Sequence, residues 1–311
     1  MNKTTIGGIE MKKLLIGIGV VFSVIFAIGI FFTNKIMYIK KKTEKEIIDR
    51  ETLDGHYVQK TFDELPKDEI NLMSPYGYPI KGYYIKPYQT TKTMIICHGV
   101  TMSLYNSVKY MNLFIELGWN VVIYDHRKHG LSGGKTTSYG YYEKFDLAEV
   151  VRWVRSQTGE KAQIGIHGES MGAVTALLYA GHIEDGADFY IADCPFAALW
   201  EQLNYRLKTE FKLSGKLILP VANFFLKIRD GYRIKEISPL SIIDRIDNPV
   251  LFIHSKDDDY IPSMSSQLLF EKKKGKKKIY LAELGEHAMS YTKNNKEYKK
   301  AVEEFLEEFV N

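Results

Sequence analysis

The sequence predicts an α/β fold: a mostly parallel sheet covered by helices on both faces, a small helical insert, and one membrane-spanning helix in front. Three features carry that expectation. Short runs rich in Ile, Val and Tyr alternate with helical patterns from about residue 69 onward; residues 14–32 form an uncharged apolar run; and 195–248 holds helical patterns but no convincing strand. A chain of 311 residues, 45% of them hydrophobic, has room for one large domain and a small appendage.

In chain order, a short tail at 1–13 comes first. The run LLIGIGVVFSVIFAIGIFF then opens an anchor at 14–33, flanked by Lys12 and Lys13 before and by Lys35 and Lys40 to Lys42 after. About 20 apolar residues are what a helix needs to cross a bilayer. A cleaved secretory signal is the competing reading, but the run is long for one and no small-residue cleavage pattern occurs from Phe26 to Asn34. An uncleaved, single-pass anchor in the cell membrane is therefore expected. Two signals for its orientation conflict. Lys is more numerous after the run, which puts the body in the cytoplasm, whereas the MKKLL start at Met11 is similar to a bacterial export anchor and puts it outside.

Charge agrees with an anchor. Of the net +4, residues 1–50 hold nine Lys/Arg against four Asp/Glu, which leaves the rest at 33 against 34. A body so balanced lacks the basic face that nucleic-acid binding requires, so no nucleic-acid partner is expected. Residues 34–55 are charged and without apolar periodicity, and read as a juxtamembrane spacer before a domain at 56–311.

Within that domain, 69–74 and 78–86 flank Ser74-Pro75-Tyr76-Gly77 as a hairpin. Strand-like runs follow at Met94–Cys97, Val121–Tyr124, Ile164–His167, Phe189–Ala192, Val250–His254 and Ile279–Leu281. Helical patterns lie between them at 104–117, 143–157, 171–182, 263–272 and 296–310. Two amphipathic patterns near 197–213 and 215–228 fall inside the strandless interval 195–248. Inserted between late strands, they suggest a lid over the carboxyl end of the sheet, where α/β proteins place their sites. Cys97 and Cys194 fall on strands separated by one other. At about 4.8 Å per strand they lie roughly 10 Å apart, beyond disulfide reach, and read as free thiols.

The chemistry centres on Gly168-Glu169-Ser170-Met171-Gly172, a G-x-S-x-G between a strand-like run and a helical pattern carrying small residues. That strand–turn–helix setting suits a strained turn projecting the Ser170 hydroxyl. A serine needs an imidazole base and a carboxylate to orient it. His287 follows the last strand-like run. Asp257, Asp258 and Asp259 follow the run before it, and Asp193 is a lesser alternative acid.

At these residues the chain resembles the α/β-hydrolase superfamily, in particular the bacterial branch of serine aminopeptidases and monoacylglycerol-lipase-like enzymes. The resemblance covers about residues 68–310 and implies an α/β-hydrolase fold. It also implies the triad Ser170, Asp258 and His287. The family's H-G-x-x-D-x-x-V-P pattern, laid on His254 and Ile261-Pro262, selects Asp258 over Asp257 and Asp259, with Ser255 where the family usually has glycine. His98-Gly99-Val100 resembles the oxyanion loop, which makes the amides of Val100 and Met171 the donors. Asp125 to Ser132 resembles a structural D-x-R-G-x-G-x-S turn, with Lys128 in place of a glycine.

The implied reaction is hydrolysis of a carboxylic ester, of acyl-chain or lipid-like type, through an acyl-enzyme. A peptidase of the aminopeptidase kind or a thioesterase is the alternative, and a non-enzymatic binding protein a third. No organic cofactor is implied. The pair His126-x-x-His129 lacks the spacing of a zinc site, so no catalytic metal is expected. His98 and His167 read as scaffold, and Tyr139–Tyr142 as core or pocket lining. Oligomeric state is not legible.

Overall fold

The computed structural model describes the backbone of residues 3–310 and the side chains of residues 11–310. Helix α1 runs from Lys3 to Met37 without a break. The expected tail at 1–13 is thus helical from Lys3 on: no proline interrupts it, and extending a helix already nucleated by the apolar run costs little. Met1 and Asn2 of that tail, and Asn311 at the end of the domain, lie outside the described residues. Within Met11–Met37 the mean hydropathy reaches 2.8 and only 6% of the most apolar window is buried, a length and composition that a membrane span and a signal sequence share. The last turns of α1 behave differently, for Thr33, Ile36 and Met37 are buried against the body.

The supposed spacer is also structured. Residues Glu44–Leu53 form α2, opened by a capping box in which the Thr43 hydroxyl accepts from the Glu46 amide while the Glu46 carboxylate accepts from the Thr43 amide. Its inner face consists of Ile47 and Glu51, both fully buried. With half of that face a carboxylate, apolar periodicity could not reveal it. The folded body therefore reaches back to Thr43, ahead of the boundary expected at 56. A short α3 follows at Gln59–Glu64.

The strands are β1 (Lys67–Met73), β2 (Pro79–Ile85), β3 (Thr93–Cys97), β4 (Asn120–Tyr124), β5 (Ile164–Glu169), β6 (Phe189–Asp193), β7 (Val250–Ser255) and β8 (Lys277–Ala282). They form one sheet in the order β1-β2-β4-β3-β5-β6-β7-β8, antiparallel at β1–β2 and β2–β4 and parallel elsewhere. Strands β3 to β7 are buried at every position, as central parallel strands must be, whereas β1 and β8 at the edges are half open.

Helices α4 (Val108–Glu116), α5 (Glu143–Thr158), α6 (Met171–His182), α7 (Leu199–Glu210), α8 (Gly215–Asp230), α9 (Met264–Lys272), α10 (Ser290–Lys293) and α11 (Asn295–Phe309) complete the fold. On one face Ile95, Ile166 and Tyr190 pack with Leu147, Val150 and Leu177 of α5 and α6. On the other, Ile96, Ile191 and Leu251 pack with Phe114 of α4 and Phe305 of α11. The helical insert, α7 and α8, lies between β6 and β7. It contacts the loop after β7 through Gln202 Nε2 to the Tyr260 carbonyl (2.7 Å) and Tyr205 Oη to the Asp259 carbonyl (3.0 Å). Its other partner is α1. Phe225 stacks edge-on against Phe26, Gly29 leaves room for that ring, and Arg229 reaches Asn34 Oδ1 at 2.7 Å.

Candidate active site

Ser170 stands at the turn from β5 into α6 with φ 55° and ψ −114°, a left-handed conformation unfavourable to any residue with a Cβ. Packing enforces it. A Cβ on Gly168 would meet the Gly172 backbone at 2.3 Å, and one on Gly172 would meet the Cys97 carbonyl at 2.0 Å. The two glycines of the motif thus let α6 press onto β5 and β3, while the Ser170 amide is held by the Asp193 carbonyl at 2.8 Å.

Ser170 Oγ lies 2.9 Å from His287 Nε2, and His287 Nδ1 lies 2.7 Å from Asp258 Oδ2. The carboxylate fixes the tautomer. Burial pushes its pKa up, but hydrogen bonds from His254 and His287 outweigh that and hold it well below the usual carboxylate range. Being ionised, it accepts from His287 Nδ1–H, which leaves Nε2 as the acceptor for the serine proton. Three further contacts hold Asp258. The Tyr260 and Ile261 amides donate to Oδ1 at 3.0 and 2.8 Å, and His254 Nε2 lies 3.1 Å from Oδ2. His254 is itself oriented by the Ile261 carbonyl and by Ser266 Oγ. Asp257 and Asp259 are exposed. The lesser alternative, Asp193, is bound instead to the Tyr110 hydroxyl at 3.0 Å.

A cavity of about 280 Å³ opens over Ser170 and His287. Gly99 and Val100 form one wall. Met171 is the first residue of α6, so its amide has no acceptor within the helix. The same cavity is lined by Lys42 and Arg50, which precede and occupy α2, and by Tyr260. The Tyr260 ring lies 4.9 Å from the His287 ring, with Arg206 4.0 Å over it. It also borders a second cavity of about 270 Å³, between α1 and the insert, whose walls include Phe32, Ile36, Leu207, Leu219 and Ala222.

A sequence model of the family described as alpha/beta hydrolase fold matches residues 92–225. The uncharacterized protein YqkD of Bacillus subtilis (strain 168) is 60% identical over 96% of this chain and 98% of its own length. The chain belongs to the α/β-hydrolase superfamily. A second relative, the lysophosphatidylserine lipase ABHD12 of Danio rerio, is 25% identical over 61% of this chain, which spans about half (49%) of that protein. Among solved structures, the Pyrococcus furiosus esterase Pf2001 superposes with a TM-score of 0.67 at 24% identity, covering 82% of this chain and 97% of its own. An α/β-hydrolase fold with such neighbours supports a hydrolase.

Several site residues of this hydrolase escape a reading of the sequence. Beneath Ser170, Glu169 pairs with Lys109 at 2.6 Å, both fully buried, and accepts from the Tyr110 hydroxyl at 2.8 Å. Burial disfavours both charges, yet each sustains the other: the Glu169 carboxyl is held below its usual range and the Lys109 ammonium above. Glu51 of α2 faces the same lysine. Helix charges usually point to solvent, and no local pattern marks this lysine as an exception.

His98, His126 and His129 form a buried cluster, with His98 ring centroids 4.6 and 5.2 Å from the other two. Burial pushes all three pKa values down. His98 Nε2 accepts from the His126 amide and His129 Nε2 from the Thr101 amide, so they brace the loop from His98 to Thr101. His167, the other strand histidine, meets the Tyr298 hydroxyl at 2.7 Å. Asp125 ties its turn together by accepting from the Leu104 and Leu131 amides, and Lys128, in glycine's place, takes φ 59°. Cys97 and Cys194 are buried free thiols. Ligand-type atoms of Cys194, Asp258 and His287 lie within 4.8 Å of one another, but the last two are engaged with each other and burial keeps the Cys194 thiol protonated.

Proposed function

We propose that this chain is a membrane-anchored serine hydrolase that cleaves carboxylic esters of apolar acyl chains. The observation that carries the reading is the unbroken hydrogen-bond sequence from Ser170 to His287 to Asp258. In the first half-reaction the Ser170 oxygen bonds to the ester carbonyl carbon as His287 Nε2 takes the serine proton. The amides of Val100 and Met171 receive the oxyanion. Collapse breaks the bond to the alcohol, and His287 returns the proton to it. Water, activated by the same imidazole, then releases the carboxylic acid and restores Ser170. Asp258 keeps the imidazole oriented and stabilises it when protonated.

Acyl specificity rests on the largely apolar cavity beyond Tyr260, which Lys35, Arg206 and Glu210 also border and whose size suits a chain of several methylenes. The membrane reading rests on α1 and on α8, whose Leu217, Phe224 and Ile228 are exposed beside it. That the Danio rerio relative is a lysophosphatidylserine lipase supports a single-chain lipid ester as the substrate class. A fluorophosphonate probe should label the full chain, and Ser170→Ala should abolish the labelling. A panel of p-nitrophenyl esters should be turned over with a preference for medium acyl chains. A folded but unlabelled protein would overturn the mechanism, and faster cleavage of aminoacyl amides than of esters would shift the substrate to peptides.

A further inference from the structure

We infer that Lys42 and Arg50 form an anion-recognition site on the alcohol side of the scissile ester, so that the preferred substrate is an acyl ester whose alcohol carries a phosphate or carboxylate. The inference deepens the ester-hydrolase reading and rests on it. Both side chains line the cavity that contains Ser170 and His287. Neither belongs to the part of the chain matched by the family model, which starts at residue 92.

The charge balance of the cavity wall favours an anion. Among its lining residues the only acid is Glu169, whose carboxylate is already engaged by Lys109 at 2.6 Å and by the Tyr110 hydroxyl. Two cations therefore face the substrate space without an acid of their own in that wall. Arg50 has spare donor capacity. One terminal nitrogen meets the Met289 sulfur at 3.2 Å, a weak acceptor, and Nε pairs with the Asp54 carboxylate at 3.8 Å, an ion pair too long for a hydrogen bond that leaves the fork's donors open. The fork is half-buried, where a bidentate bond to phosphate or carboxylate is worth more than at an open surface.

The Lys42 backbone amide donates to the Thr101 carbonyl at 3.0 Å and so ties the chain to the loop after β3, while the residue itself is exposed. Burial, and then the nearby Arg50 charge, lower its pKa, partly offset by the carboxylates of Glu169, Glu51 and Glu46, and a bound anion would oppose that lowering further. The second, largely apolar cavity shares Tyr260 as a wall, and of its two cations, Lys35 and Arg206, the latter is paired with Glu210. A carbonyl at Ser170 would then direct its acyl chain past Tyr260 and its alcohol toward the cations.

The test compares hydrolysis of 1-octanoylglycerol 3-phosphate and 1-octanoylglycerol by the detergent-solubilised full chain, below the concentration at which either substrate aggregates. The acyl chain is shared, and adsorption to an anionic surface plays no part. The wild type should favour the phosphate by about tenfold or more in kcat/KM, as expected for a charge-assisted pair. Arg50→Gln and Lys42→Gln should each reduce that ratio severalfold, mainly through KM, and the double variant should bring it near one. Arg50→Lys should retain part of it. A wild-type ratio near one, or variants that lower both rates and leave the ratio intact, would overturn the inference. If neither ester is cleaved and the fluorophosphonate probe fails to label, it is the ester-hydrolase reading that has failed.

Discussion

Ser170 holds a backbone conformation that costs on the order of 1–3 kcal/mol, and the surroundings that enforce it also aim its hydroxyl at His287. The same logic applies to Asp258. Its carboxylate is ionised at the cost of burial because four donors converge on it: two amides and the rings of His254 and His287. Asp258→Asn keeps the shape but disturbs the tautomer of His287, so kcat should fall by about 10³- to 10⁴-fold, while Asp257→Asn and Asp259→Asn, on exposed positions, should leave it within about twofold. Steady-state kinetics on one ester decides between the three. Since its folded pKa is depressed, Asp258 contributes stability above the ordinary carboxylate value of 3.8, and that contribution is lost as pH falls below it. Ser170 and His287 are legible because motif, chain order and strand position point to them, whereas Asp258 is singled out from three consecutive aspartates only by the family pattern laid on His254 and Pro262. Lys109, Lys42 and Arg50 are not legible, because what makes each of them unusual is a neighbour brought in by the fold. Lys109 meets Glu169 across 60 positions of chain, and nothing adjacent to either signals the pair.

At the level of elements, the strands could be read because five of them are buried on both faces and so are apolar throughout, and the hairpin because Ser74 to Gly77 supplies turn residues. Helix α2 escaped because a carboxylate occupies its inward face. The hairpin turn is itself fastened by a buried carboxylate. Asp146 on α5 accepts from Ser74 Oγ at 2.6 Å and from Tyr78 Oη at 2.5 Å. Burial, partly offset by those two hydrogen bonds, pushes its pKa from 3.8 up to about 7. Between those values the folded state retains a proton that the unfolded state gives up, so stability should decline as pH rises through that window. Melting temperature should therefore drop between about pH 4 and pH 7, and Asp146→Asn, which stays neutral, should flatten the decline. Asp146→Ala strands two buried hydroxyls, for roughly 1–3 kcal/mol, or a few degrees per kcal/mol in a domain of this size. An unchanged pH slope in Asp146→Asn would mean that the carboxyl is ionised in the native state.

Taken as a whole, the molecule joins α1 to its candidate site through the segment that reads as a spacer. Helix α1 packs on α8 of the insert, the chain crosses the oxyanion loop at Lys42, and α2 lays Ile47 and Glu51 into the body beside Asn106 and Lys109. A tether would tolerate substitution along its length, whereas a structural wall would not. Ile47→Ala distinguishes them. If α2 belongs to the core, loss of a fully buried isoleucine should cost about 2–5 kcal/mol, lowering the melting temperature of the full chain in detergent by roughly 5–15 °C. Asp49→Ala on the exposed face of the same helix should change it by less than about 0.5 kcal/mol. The kinetic consequence is separate. Loosening α2 displaces Arg50, so in Ile47→Ala the preference for an anionic over a neutral ester should shrink at temperatures where the fold and fluorophosphonate labelling of Ser170 persist. Retention of that preference with a lowered melting point would show that α2 stabilises the body without shaping what it accepts.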